Sequence, residues 1–163
     1  MPATYEPIAT TTLGATATTI TFSSIPATYT DLRLVFVFTT AASGQVRYRV
    51  NGDTGTNYSR TYLYGDGTTA ASAQNANSSS FNLALAIASS TTIPQLAIID
   101  FFSYAGNTFK TTLCDHAADS NGSGGTERLV SLWRSTAAIN EIQIYNQTFN
   151  TGTTATLYGI KNA

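Results

Sequence analysis

Apolar side chains recur at every second position in short runs along this chain, a period that builds strands rather than helices. Leu32, Leu34, Phe36 and Phe38 form one such run. Val46, Tyr48 and Val50 alternate with Arg47 and Arg49, and Phe81, Leu83, Leu85 and Ile87 alternate with Asn82 and three alanines. Helix formers are scarce, with three Glu and two Lys, while Thr fills 29 of 163 positions. A branched Cβ restricts Thr in helices and suits it to a pleated sheet.

Read in this way, strand signal falls on 15–22, 32–39, 45–51, 57–64, 81–88, 95–104, 107–114, 128–134, 139–145 and 155–160, segments that amount to eight or nine strands. The segment 32–39 is apolar on both faces, because Val35 and Val37 occupy the second one. It reads as a central strand or one covered on both sides. Asn51, Gly52, Asp53 and Gly55 form a structural turn, since Asn and Gly tolerate the left-handed backbone. Two stretches of small and polar residues, 65–80 and 115–126, read as surface loops. Residues 1–14 read as an N-terminal arm or flexible end, and 15–163 as one domain. Eight or nine strands without a helix imply an all-β, two-layer antiparallel β-sandwich. A jelly roll is the first choice and an immunoglobulin-like sandwich the next.

Charge narrows the function. Eight Lys and Arg face nine Asp and Glu, about 10% of the chain, against roughly 25% in an ordinary soluble domain. Scattered and balanced, these charges give no basic stripe for nucleic acid. The most apolar runs are too short to span a membrane and contain Arg33 and Asp100. The opening Met-Pro-Ala-Thr-Tyr-Glu lacks a basic region followed by an apolar one, so no signal peptide is expected. Low charge removes much of the repulsion between copies, which suits an assembly or a neutral polar ligand.

Catalytic candidates are few. Cys114, Asp115 and His116 are adjacent, and alternation puts Cys114 and His116 on one sheet face. Shared orientation alone does not make a nucleophile and base, and Cys114 reads as a buried small hydrophobe. No spacing pairs two carboxylates for glycoside hydrolysis. Asp100 interrupts an apolar strand and is expected to bond Arg or Thr on a sheet face. Asn51, Asp53 and Asn57 offer oxygen ligands of the kind calcium takes, but a turn satisfying its own backbone explains them equally. Zinc would need more ligands than Cys114 and His116. No metal, cofactor or enzymatic activity is expected. Tyr58, Tyr62, Tyr64 and Trp133 divide between core packing and contact with a partner or glycan, since aromatic rings with a polar tip serve both.

Four segments in order carry a resemblance. They are Ile25-Pro26-Ala27-Thr28-Tyr29-Thr30-Asp31-Leu32, Asn51-Gly52-Asp53-Thr54-Gly55-Thr56-Asn57-Tyr58, Leu63-Tyr64-Gly65, and Leu157-Tyr158-Gly159-Ile160-Lys161. Together, from about Tyr5 to Lys161, the chain resembles small virion structural proteins of tailed bacteriophages. The resemblance implies a non-enzymatic β-sandwich in the virion, assembled in the host bacterial cytoplasm. It further implies a capsid decoration or cement protein, or a minor tail-associated one, whose partners are its own copies in a homotrimer and the major capsid protein or tail proteins. The alternative is a tail or fiber module that touches host glycan through loop-borne aromatics.

Overall fold

The computed structural model describes residues 4–119 and 121–161. Among these, twelve strands and no helix occur. In chain order they are β1 (Tyr5–Thr12), β2 (Ile20–Phe22), β3 (Asp31–Phe38), β4 (Arg47–Val50), β5 (Tyr58–Gly65) and β6 (Ala70–Ser78). There follow β7 (Phe81–Asn82), β8 (Gln95–Phe102), β9 (Lys110–Ala118), β10 (Gly125–Trp133), β11 (Ile142–Tyr145) and β12 (Thr154–Ile160).

They form two antiparallel sheets. The large one has eight strands in the order β1-β12-β3-β8-β9-β10-β5-β6, and the small one has four, β2-β11-β4-β7. The sheets face each other across one apolar core, as the sandwich reading requires. The large sheet contributes Leu32, Leu34, Phe36, Ala97, Ile99, Phe101, Cys114 and Leu129, while Ile20, Phe22, Tyr48, Val50, Phe81, Ile142 and Ile144 come from the small one. Their alternation sets which face is buried, because a strand's neighbouring side chains point to opposite sides.

Rings fill the centre. Phe36 and Phe38 stack with centroids 4.4 Å apart, and Phe149 meets Phe36 edge-on at 5.5 Å. Phe81 stacks on Tyr48 at 4.8 Å and meets Tyr58 edge-on at 4.7 Å. Buried phenols need partners, and each has one. The Tyr48 hydroxyl lies 3.2 Å from the Thr112 hydroxyl, and the Tyr58 hydroxyl donates to the Asp53 carbonyl at 3.0 Å.

Three segments gain strand relative to the sequence reading, while of the strand expected over 15–22 only Ile20–Phe22 forms. The arm expected over residues 1–14 is, from Tyr5 to Thr12, edge strand β1 paired with β12; residues 1–3 lie outside the described residues. Its alternation is hidden because Ile8 and the neighbouring threonines give little apolar contrast. The expected loop 65–80 contains β6, which pairs with β5 from Gly65↔Ala70 onward. Nearly every β6 side chain is exposed, so backbone bonds to β5 rather than an apolar face hold it. The second expected loop, 115–126, is mostly hairpin: β9 continues to Ala118 and β10 begins at Gly125. These additions raise the strand count above eight or nine.

Conversely, only Phe81–Asn82 of the strand expected over 81–88 joins a ladder. The reason is a buried carboxylate. Glu127 points inward from β10 and accepts the amides of Leu85 at 2.8 Å, Ala86 at 2.7 Å and Ile87. Three backbone donors that a neighbouring strand would otherwise take are thus satisfied by one side chain. Replacing Glu127 with Ala orphans all three, and urea unfolding is expected to show a loss of about 3 kcal/mol, with Glu127→Gln in between.

Candidate functional site

The turn after β4 follows its composition. Asn51 and Gly52 both take positive φ, 52° and 62°, as a tight primed turn demands. The Asn51 carboxamide accepts the Asn140 amide at 2.9 Å and donates to the Ala138 carbonyl at 2.7 Å, tying the turn to the chain before β11. Asp53 accepts from Trp133 Nε1 at 2.6 Å, Asn57 Nδ2 at 2.9 Å and the Gly55 amide at 2.7 Å. Burial opposes the charged form, but these bonds outweigh it and hold the carboxyl below its ordinary value. Both carboxylate oxygens therefore serve the fold, and no group of three His, Cys, Asp or Glu positioned for a metal occurs among the described residues.

The four aromatic candidates separate. Tyr58 is fully buried, Trp133 is 3% exposed, and the two face each other in register across β5 and β10. Neither presents a ring to a partner or sugar in this chain, so both take the core alternative of the sequence reading. Phe81 of β7 packs edge-on against Tyr58, and Asp53 in the turn after β4 holds the Trp133 indole. Tyr62 and Tyr64 lie farther along β5, half-buried, their rings stacked at 6.5 Å.

Cys114 and His116 do share the inner face, as alternation implies. Both are buried, and the Cys114 thiol donates to the Leu83 carbonyl at 3.3 Å. Burial pushes that thiol up, away from the reactive thiolate. His116 Nε2 lies 3.3 Å from Gln95 Oε1, and the ring stacks loosely on Phe38. Glu127, its register partner, is committed to the 85–87 amides. Burial pulls His116 from 6.5 down to about 4. Lys110 is equally enclosed, its ammonium capped by the Gly106 carbonyl at 2.6 Å and the Thr108 carbonyl. Each of these groups is thus engaged within the fold, although His116 Nδ1 is buried without a hydrogen-bond partner.

The surface without a counterpart inside the molecule is the outer face of the large sheet. Register places Val35 beside Ile98, Val37 beside Leu96, and Leu113 beside Val130. Leu63 at 59%, Val130 at 46% and Phe102 at 42% are among the most exposed large apolar side chains. Charges on this face are paired across strands. Arg33 grips Asp100 with two bonds of 2.6 and 2.8 Å, as expected for Asp100, and Arg128 meets Asp115 at 3.1 Å. Two hollows of about 550 and 680 Å³ open beside Leu96 and Val130 respectively. The two-sided hydrophobicity of 32–39 is explained here: β3 is central, yet its Val35 and Val37 side is uncovered.

No family model, curated protein or solved structure matches this chain. No helix among the described residues is long and apolar enough to cross a membrane.

Two predictions follow from the buried polar groups. Asp53→Ala is expected to cost about 2 kcal/mol in urea unfolding, since it strands the Trp133 and Asn57 donors, whereas millimolar calcium leaves the melting temperature unchanged. For His116, the folded state resists the proton that the unfolded chain accepts. Its contribution is therefore complete above 6.5 and is lost as pH falls from 6.5 towards 4. Between pH 7 and 5 this is a loss of about 2 kcal/mol, and His116→Gln removes that part of the pH dependence.

Proposed function

We propose that this chain is a non-enzymatic structural protein of a phage virion, a decoration protein that binds the major capsid shell and stabilises it as a trimer. The observation that carries the reading is the outer face of the large sheet: apolar, uncovered, and with its charges paired among themselves. Eight strands about 4.8 Å apart and seven residues of about 3.4 Å give a face of about 800 Å². A stable interface takes about that much from each partner.

Pairing of the face charges adds to the argument. Arg33 and Asp100 already satisfy one another, as do Arg128 and Asp115, so covering them leaves no isolated ion in the interface. The low overall charge acts in the same direction by reducing repulsion between neighbours. Many weak contacts, repeated over a shell, then add through multivalency. Resemblance to small phage virion proteins, which implies a capsid or a tail position, supplies a phage particle as the partner.

A tail module reading host glycan through aromatics is less favoured, because Tyr58 and Trp133 are spent on the core.

Imaging of intact particles provides the test. Copies are expected over the capsid surface in groups of three, with the large sheet's outer face at a contact. Particles lacking the protein, or carrying Val130→Glu, are expected to lose their genome at lower temperature. Density confined to a distal tail tip would refute the reading.

A further inference from the structure

Two of the six arginines line one recess, and a third bonds its rim, in a chain otherwise poor in charge. The recess measures about 290 Å³ and lies where β4 and β7 end the small sheet beneath β5 and β6 of the wider one. Arg47 enters from β4 and Arg60 from β5, and Gln45, Asn77, Ser78 and Asn82 supply amide and hydroxyl groups around them. Among the described residues no lining side chain is acidic.

These guanidiniums are under-satisfied. Outside the recess Arg49 Nε is also buried without a hydrogen-bond partner; within it, Arg60 donates to the Ser78 hydroxyl at 3.2 Å, yet its Nε and that of Arg47 are buried without one. Neither takes part in an ion pair among the described residues, whereas Arg33, Arg128 and Lys161 do. Burial and the neighbouring Arg47 cation both pull Arg60 below its ordinary value. Arg134 braces the rim by donating to Asn77 Oδ1 at 2.8 Å and to the Thr56 carbonyl.

Holding two like charges in a half-enclosed recess is unfavourable unless an anion joins them. Guanidinium forks match planar or tetrahedral oxyanions, and the surrounding amides and hydroxyls match the hydroxyls of a small polyol. The geometry points to a binding site for a small oxyanion-bearing ligand, a carboxylate or sulfate on a scaffold no larger than a monosaccharide, held between Arg47 and Arg60. Arg60 also lines the hollow beside Val130, but anion binding here does not depend on the assembly reading.

The test uses the isolated full chain with three probes: glucuronate, inorganic sulfate and glucose. Calorimetric titration at low salt is expected to show saturable binding of at least one anion and none of glucose. Arg47→Gln and Arg60→Gln should each weaken that binding about tenfold, while Arg49→Gln, whose guanidinium stacks on Tyr145 at 3.9 Å, leaves it unchanged. Tighter binding of glucuronate than sulfate identifies an acidic sugar as the ligand class; equal or tighter sulfate binding identifies a simple oxyanion. In the wild-type protein, side-chain amide resonances of Asn77 and Asn82 should shift along the same titration, a readout that needs no variant. Relief of repulsion further predicts that Arg47→Gln melts no lower than wild type without anion. Failure of both anions to bind at about 10 mM, or binding that both variants leave intact, would overturn the site.

Discussion

One layer of this sandwich is twice as wide as the other, and much of the molecule answers that mismatch. Four strands cannot cover the inner face of eight. Over the middle of the large sheet, Tyr48, Phe81 and the isoleucines of β2 and β11 close the core. Beyond them the chain improvises. The irregular stretch after β7 is drawn over the inner face by the Glu127 carboxylate, which binds three successive amides. On the other flank, β1 and β12 are tied by Lys161 bonding Glu6 at 2.9 Å. Gly159 leaves room for the Tyr29 ring, since a Cβ there would meet it at 2.4 Å.

The same mismatch explains where polar chemistry collects. At the step between the narrow and wide sheets, β5 and β6 project past β7 and create the arginine-lined recess. On the outer side no described segment covers the large sheet, so its apolar residues stay exposed between two cross-strand ion pairs. A chain with so few charges places most of them deliberately in space: paired on the outer face, capped inside the core, or gathered at the recess. Repulsion, solvation and burial are managed locally because there is little net field to manage them globally.

Strand signals were legible wherever one face is apolar. The alternation in β3, β4 and β8 matches the buried faces found, and the turn at Asn51-Gly52 follows from two residues suited to positive φ. Strand β6 was illegible because Ala, Ser, Gln and Asn offer no contrast between faces, and its backbone pairing with β5 leaves no side-chain trace. Residues 83–88 misled for the opposite reason, since their alternation is real but a carboxylate over forty positions away takes the amides. Tyr58 and Trp133 could not be assigned to core or surface by type alone; packing against Phe81 and bonding to Asp53 decide it. Arg47 and Arg60 looked scattered because they belong to different sheets, and only the fold brings them together.

The central claim is that the outer face of the large sheet is covered in the assembled state. Hydroxyl-radical footprinting of the protein on intact particles, compared with the free chain, reads this directly at Leu63, Phe102 and Val130. The account predicts strong protection of these residues on particles, with Tyr145 on the small sheet as a reference that changes less. Equal labelling of Leu63, Phe102 and Val130 in the two states would contradict it.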